Sequence, residues 1–317
     1  MRHSLSSWIP ALVMPVLLLA TAVLAVILAT PMTDAGFVAF EDSSSLTNPL
    51  FFIVLLLFFT GLLLLLIRYK LQFIIRIIIF ISLFLSYIYV FSGLLLMFSL
   101  DLSLASFIAT VLAGCAIILL IRFPEWYVID VLGVLLAGGI ASIFGISLEP
   151  VPVIVLLIIL AVYDAISVYR TKHMLTLADG VMQQKVPIMV IVPKRRDYSF
   201  RKEEFGPIKP REPSTQVSSP PSPLATEEAS HERSAYLMGL GDLIMPTILV
   251  VSAAVFVPGG GIGIFSLCSL TTLIGSLIGL GVLMSFVQKG SAHAGLPPLN
   301  GGAIIGFIFG FVLMHGI

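Results

Sequence analysis

Nine separate stretches of this sequence are apolar and long enough to cross a lipid bilayer, and this repetition limits the fold more than any other feature. A bilayer core about 30 Å thick is crossed by about 20 residues of α-helix. Hydrophobic residues make up 58% of the chain and charged residues 11%, too few to cover a water-facing surface. The sequence therefore predicts an all-α, polytopic membrane protein embedded in the lipid bilayer. The nine predicted transmembrane helices are Trp8–Thr30, Pro49–Ile67, Ile74–Phe98, Leu102–Ile121, Tyr127–Ile146, Val151–Val168, Ala235–Val257, Ile262–Val287 and Leu296–Ile317.

The positions of the basic residues predict how these helices are oriented. If the N-terminus is cytoplasmic, all 17 Lys and Arg residues fall on the cytoplasmic side of the membrane, and the opposite segments carry acidic residues only. Basic residues are enriched in the cytoplasmic loops of membrane proteins. We therefore expect a cytoplasmic N-terminus and, after nine crossings, an external C-terminus. In a prokaryote this membrane would be the plasma membrane. Equal numbers of acidic and basic residues argue against a nucleic-acid partner.

One connection is much longer than the others and divides the chain into three parts. Residues 1–168 contain the first six predicted helices, residues 169–234 form a cytoplasmic loop, and residues 235–317 contain the last three helices. Within the loop, the apolar and β-branched run Val186–Val192 predicts a short β-strand. Arg195–Ser234 has six prolines among serines and charged residues, a composition that predicts disorder.

Three aspartates fall within the predicted helices, where a carboxylate costs a few kcal/mol and is therefore a candidate functional group. Asp130 lies near the cytoplasmic end of the fifth helix, and we interpret it as an interfacial, structural acid. Asp164 lies six residues before Arg170, or about 9 Å along a helix, and Asp242 lies nine residues after Arg233, or at most about 13 Å. The sixth and seventh helices thus place two carboxylates at similar depth in the same leaflet.

Two neighbouring carboxylates in a medium of low dielectric constant tend to share one proton. The ionised member can then take a proton from water while the protonated member donates a hydrogen bond to a carbonyl, as in aspartic proteolysis. Alternatively, the same carboxylates are a proton or cation site of a membrane transporter, or they pair with other polar groups. The two aspartates alone do not separate these interpretations.

The residues around Asp242 favour access to its carboxylate. In the segment Gly239-Leu240-Gly241-Asp242, two glycines remove side chains that would block the approach. Pro246 has no N–H to donate to the carbonyl of Asp242, four residues earlier. We therefore expect a loosened helix with a spare hydrogen-bond acceptor beside this carboxylate.

Two further features accompany the carboxylates on the same side of the membrane. Tyr163 directly precedes Asp164, so that its ring can shield the carboxylate and its hydroxyl can donate a hydrogen bond. Pro297-Pro298-Leu299 stands at the start of the ninth helix, where the prolines should leave the backbone irregular.

At these residues the chain resembles the presenilin and signal peptide peptidase family of intramembrane aspartyl proteases. That family has Tyr-Asp in the sixth helix, Gly-x-Gly-Asp in the seventh and Pro-Ala-Leu at the start of the ninth. Here the matching residues are Tyr163-Asp164, Gly239–Asp242 and Pro297–Leu299, with Pro298 in place of the family's alanine. The orientation resembles presenilin rather than signal peptide peptidase, whose topology is the reverse, and the chain is a candidate archaeal or other prokaryotic homologue of presenilin. A prepilin-type peptidase, another Gly-x-Gly-Asp family, is a weaker alternative.

The resemblance implies an aspartic endopeptidase that cleaves the transmembrane segments or signal peptides of other membrane proteins, with Asp164 and Asp242 as the catalytic pair. It implies no cofactor, and the chain points to no obligatory partner subunit. The five histidines lack metal-ligand spacing, so we predict no metal site. The supporting residues would be Tyr163, Gly239, Leu240, Gly241 and Pro246, and the substrate-binding residues Pro297, Pro298, Leu299 and Val190.

Val190 enters this set through a hypothesis about substrate unwinding. A helical peptide bond must be unwound before it is hydrolysed, which exposes unpaired backbone groups in a dry setting at several kcal/mol each. We expect Val186–Val192 to pair with the extended substrate as an added strand, and Pro297–Leu299 to hold the other side. The alternative is that Val186–Val192 covers only the membrane face of the loop.

Overall fold

Nine helices and two short strands make up the part of the chain that the structure, a computed structural model, describes: residues 5–168, 189–193, 235–287 and 294–316. The prediction of nine helices with a short strand is confirmed. In chain order the elements are α1 (Leu5–Asp34), α2 (Thr47–Arg68), α3 (Gln72–Leu96), α4 (Leu102–Arg122), α5 (Trp126–Ser147), α6 (Pro150–Ile166), β1 (Met189–Pro193), β2 (Ala235–Gly239), α7 (Leu240–Phe256), α8 (Leu267–Val287) and α9 (Leu296–His315).

Seven of these helices are long and apolar enough to cross a membrane, whereas α6 and α7 are apolar but only 17 residues long. Seventeen residues rise about 26 Å, the short end of what a bilayer requires. The seventh helix was predicted to begin at Ala235, and this prediction is wrong by five residues. Ala235–Gly239 forms β2 instead, because its backbone groups pair with β1 rather than within a helix.

The eighth helix also begins five residues later than predicted, at Leu267 rather than Ile262. The backbone takes positive φ angles at Gly259, Gly260 and Gly263, a conformation that glycine adopts without steric cost. The resulting turn is closed by paired backbone hydrogen bonds between Ile262 and Phe265. The apolar residues at its end are therefore part of a turn.

Helix α5 is the centre of the bundle and α2 lies at its edge. In the 18-residue stretch of α5 that is long enough to cross a membrane, 67% of the residues are buried inside the protein, whereas none are buried in the corresponding stretch of α2. α5 packs against α1, α3 and α7, and α7 packs in turn against α1, α8 and α9. Of the seven helices long enough to cross a membrane, α5, which carries Asp130 and packs against the Asp242 helix, is thus the most shielded from lipid.

Helices α8 and α9 pack closely through glycines spaced four residues apart. The backbone of Gly275 faces Gly302, and that of Gly279 faces the carbonyl of Pro298. A Cβ at either position of α8 would overlap the backbone of α9. Such small-residue contacts allow two membrane helices to approach at backbone distance. They set the position of the start of α9.

The two strands pair antiparallel, with Met189 opposite Gly239, Ile191 opposite Leu237 and Pro193 opposite Ala235. The predicted strand Val186–Val192 is therefore present over its last four residues, and residues 186–188 lie outside the described part of the chain. So does the segment Arg195–Ser234, for which disorder was predicted. β2 runs directly into α7, which places the sheet beside the start of that helix.

Candidate active site

Asp164 and Asp242 are brought to the same side of the bundle by the direction of their helices. Asp164 lies two residues before the end of α6, and Asp242 is the third residue of α7. Successive crossings run in alternate directions, so the end of α6 and the starts of α7 and α9 lie on one side. α9 packs against both α6 and α7 at this point.

The carboxylate of Asp164 is buried and accepts hydrogen bonds from another helix. Its side chain is 7% exposed, and its Oδ2 accepts from the backbone N–H of Leu296 at 3.1 Å. The N–H of Gly295 also points at this carboxylate. A negative charge is disfavoured at a helix C-terminus and favoured at an N-terminus. The start of α9 therefore offsets the unfavourable position of Asp164 on α6.

The first turn of α9 shows why two prolines stand there. The first four N–H groups of a helix have no partner within it. In α9 these positions are Gly295, Leu296, Pro297 and Pro298. The prolines have no N–H, and the other two N–H groups point at Asp164. The predicted irregular start is wrong, because the prolines fit the first turn and the helix is regular from Leu296.

Asp242 is held by the start of its own helix. Gly239 is the N-cap of α7, and the half-buried Asp242 carboxylate reaches back to its backbone N–H. This is the acidic half of a capping box, in a helix turn whose dipole favours negative charge. Apart from its chain neighbours, no atom lies within 4 Å of where a Cβ on Gly241 would be, so this glycine borders open space at the start of α7.

Gly295 lies against Asp242, and the sequence analysis missed it. A Cβ at Gly295 would lie 2.9 Å from Oδ2 of Asp242 and 3.2 Å from its Cγ, so no larger residue fits without moving the carboxylate. The sequence feature that could have indicated this close approach is a glycine directly before the Leu-Pro-Pro start of a helix. The same short segment thus bonds to Asp164 and contacts Asp242. The two carboxyl groups are also close enough to repel each other when both are charged.

The other residues that the motifs suggested surround this point. Tyr163 is half-buried beside Asp164, and Pro246 is buried inside α7 with no N–H for the Asp242 carbonyl. Leu240 is 8% exposed, and its Cδ2 packs on Gly133 of α5. Leu240 therefore locks the start of α7 onto the central helix.

The start of α9 has one half-buried and one fully buried part. Pro297 and Pro298 are half-buried, whereas Leu299 is fully buried in the core. The next residue, Asn300, is also fully buried, and its Nδ2 donates to the carbonyl of Leu157 in α6 at 3.1 Å. This bond, not anticipated from the sequence, holds α9 against the helix that carries Asp164.

Asp130 and Val190 belong to the neighbouring sheet. Asp130, predicted to be an interfacial, structural acid, is 5% exposed, and its Oδ1 accepts from the N–H of Ile191 in β1 at 2.8 Å. Packing of β1 on α5 covers its side chain. Val190 is 1% exposed and pairs with Met238 of β2. In the described part of the chain, no cluster of three His, Cys, Asp or Glu residues is arranged to hold a metal ion.

Residues 14–316 match the family model described as signal-peptide peptidase, presenilin aspartyl protease. Two similar solved structures are each described as a presenilin family intramembrane aspartate protease, in space groups C222 and P2. The first is 41% identical with a TM-score of 0.68, and the second 43% identical with a TM-score of 0.66. Each comparison covers 96% of this chain and 99% of the other. No curated protein sequence matched the chain.

Proposed function

The chain belongs to the signal-peptide peptidase and presenilin family of aspartyl proteases, and we propose that Asp164 and Asp242 are its catalytic pair. The protein is an intramembrane aspartic endopeptidase, and the transporter interpretation finds no support in these comparisons. One observation carries the assignment of the pair. Both carboxylates lie at Gly295–Leu296 at the start of α9: Asp164 accepts a hydrogen bond from Leu296, and Asp242 lies where a side chain on Gly295 would have to go.

The proposed reaction needs one ionised and one protonated carboxyl group. The ionised group takes a proton from water as the water oxygen attacks the carbonyl carbon of the scissile peptide bond. The protonated group donates a hydrogen bond to the carbonyl oxygen, which carries the developing negative charge. The C–N bond then breaks as the carboxyl group that took the proton of water passes it to the nitrogen, and the products are a carboxylic acid and an amine. The N–H of Leu296 keeps Asp164 in place throughout.

We further propose that the transmembrane segments or signal peptides of other membrane proteins are the substrates, and that they bind in extended form. An unwound segment needs new partners for its backbone groups in a dry environment. Antiparallel pairs alternate between hydrogen-bonded and non-hydrogen-bonded residues. Since the N–H of Ile191 is engaged by Asp130, its partner Leu237 turns its own N–H and C=O away from β1.

This geometry favours addition of the substrate to the outer edge of β2, next to Asp242, rather than to β1. Val190, in the inner strand, would then act indirectly by holding β2 in place. We assign contact with the other side of the substrate to the half-buried Pro297 and Pro298, with Leu299 fixing them from the core.

The positions of the basic residues support a cytoplasmic N-terminus and an external C-terminus in a plasma membrane of prokaryotic type. In that orientation residues 169–234 are a cytoplasmic connection. It joins residues 1–168 to residues 235–317, so that each flanking part brings one aspartate to the site.

The test is cleavage of a helical membrane substrate by purified protein in detergent, with Asp164→Asn and Asp242→Asn compared one at a time. Each change keeps the shape of the side chain but removes the acidic group. When two residues act together in one catalytic step, the loss of rate in the double variant is not the product of the losses in the single variants. We expect each variant to lose at least about 1,000-fold in rate, and the double variant to lose no more. Asp34→Asn, an exposed aspartate at the other end of the bundle, is the matched control. Substantial cleavage by either single variant would refute the assignment.

A further inference from the structure

Asp130 is a buried carboxylate that the proposed reaction does not use. It lies in the first turns of α5, is 5% exposed, and its Oδ1 accepts a 2.8 Å hydrogen bond from the backbone N–H of Ile191. A carboxylate is costly to bury, and a bond from a backbone N–H compensates part of this cost. Its position on the central helix, bonded to a strand 61 residues away, suggests a function for the bond itself.

The hydrogen bond from Ile191 to Asp130 holds β1 at the edge opposite to the one that pairs with β2. Ile191 is the middle residue of β1, and Leu237 lies opposite it in β2. Two strands of five residues each have few backbone bonds with which to define their register, and a slip by two residues keeps every side chain on its original face. A carboxylate on a rigid helix, bonded to one particular N–H, excludes that slip in β1.

The register of β1 determines the position of Asp242. β1 sets β2 through their pairing, and β2 continues into α7 with Gly239 as both the last strand residue and the helix N-cap. The same part of α5 also contacts α7 directly, because Gly133, three residues after Asp130, packs against Leu240. α5 therefore holds the sheet and the start of the Asp242 helix as one unit.

We propose that Asp130 is a positioning residue that sets the register of this sheet and, through it, the peptide bond at which a substrate is cut. The proposal rests on the proposed function above, in which the substrate pairs with β2 and is hydrolysed between Asp164 and Asp242. If β2 is a template for the substrate strand, its distance from the catalytic pair selects the scissile bond. Loss of the Asp130 bond then shifts the cleavage position, or spreads cleavage over several positions, in steps of two residues along the substrate.

The experiment maps the cleavage positions in a helical membrane substrate by mass spectrometry of the products, together with the rate. Asp130→Ala should lower total cleavage about tenfold and spread the cuts over positions two residues apart. Asp130→Asn keeps a side-chain oxygen that accepts from the Ile191 N–H, and it should retain the wild-type cuts within about twofold of the wild-type rate. Ile191→Pro removes the donor and should reproduce the pattern of Asp130→Ala. The double variant should be no worse than the worse single variant, because both changes remove one bond.

Unchanged cleavage positions in Asp130→Ala would overturn the proposal whatever the rate, because lost stability alone reduces the amount of active enzyme without moving the cut. A shifted pattern in Asp130→Asn would overturn it as well. If Asp130→Ala does not accumulate in the membrane, Ile191→Pro decides alone by the same criterion.

Leu237→Pro, with Leu237→Ala as control, tests the premise of strand addition separately. It removes an N–H on the outer edge of β2 and should reduce cleavage by at least about tenfold. Wild-type cleavage by Leu237→Pro would refute pairing with β2, and the proposal about register with it. The assignment of the catalytic pair would stand or fall on the Asp164 and Asp242 variants alone.

Discussion

The surroundings of Asp164 and Asp242 differ, although the two side chains are the same and both helices have 17 residues. Asp242 lies in the first turn of α7, where its own helix supplies a favourable dipole and the N–H of Gly239. Asp164 lies in the last turn of α6, where its own helix supplies neither. Its donors come from α9, 132 positions away for Leu296.

This difference shows that one carboxylate site is built locally and the other is assembled. Gly239–Asp242 contains most of what Asp242 needs within four consecutive residues. Asp164 depends on the docking of α9, which in turn depends on the glycine contacts with α8 and on the bond from Asn300 to α6. We therefore expect the start of α9 to be the most sensitive point of the site after the carboxylates themselves.

After replacement of the carboxylates themselves, the largest effect is expected from pH, because it acts on both carboxylates despite their different surroundings. With both groups protonated no base accepts the proton of water, and with both ionised no acid donates to the carbonyl. The plot of rate against pH should therefore be bell-shaped. Its two apparent pKa values belong to the pair of carboxyl groups, and the rate should fall about tenfold per pH unit below the lower one and above the higher one. The measurement is kcat/KM against pH with a substrate for which chemistry limits turnover. A flat profile across the acidic and neutral range would contradict a shared proton.

Gly295→Ala should have the next largest effect, through Asp242 rather than Asp164. The added Cβ would lie 2.9 Å from Oδ2 of Asp242, so either the carboxylate or the start of α9 must move. A displacement of about 1 Å at a catalytic group costs about 100-fold, and we expect a loss of about 10- to 100-fold in kcat.

Gly301→Ala is the matched control in the same helix, since no atom lies within 4 Å of the added Cβ. It should keep wild-type kcat and gain about 0.5–1 kcal/mol of stability from the loss of a helical glycine. Equal activity of the two variants would show that contact with Gly295 does not position Asp242.

Pro298→Ala, which restores the residue found in the family motif, should have the smallest effect, less than about threefold on kcat/KM. The N–H that alanine adds is at the third position of α9, where a helix has no internal partner for it. The contact between residue 298 and Gly279 uses the backbone carbonyl, which alanine retains. A change of tenfold or more would mean that the new N–H competes for Asp164, and that the absence of donors from the prolines is part of the site.

Several parts of the fold and the site were readable from the sequence because they depend on neighbouring residues. Membrane spans follow from local runs of apolar residues, and the β-branched run in the long loop indicated the strand that contains Val190. The glycines of Gly239–Asp242 predict an accessible carboxylate, and no atom beyond the chain neighbours of Gly241 lies within 4 Å of a Cβ placed there. The two helix starts predicted too early failed because apolar residues also occur in a strand and in a glycine turn.

The sequence by itself determined the number of helices and the alternation of their direction, and hence that Asp164 and Asp242 share one side of the bundle. These properties arise from order along the chain and from the cost of placing unpaired backbone in lipid. Only the tertiary structure decided that β1 pairs with β2, that Asp130 bonds to Ile191, and that Gly295–Leu296 approaches both carboxylates. The reason is that these contacts join distant residues whose meeting depends on how helices pack, and apolar composition, which drives insertion, is nearly the same on every helix and does not encode that packing.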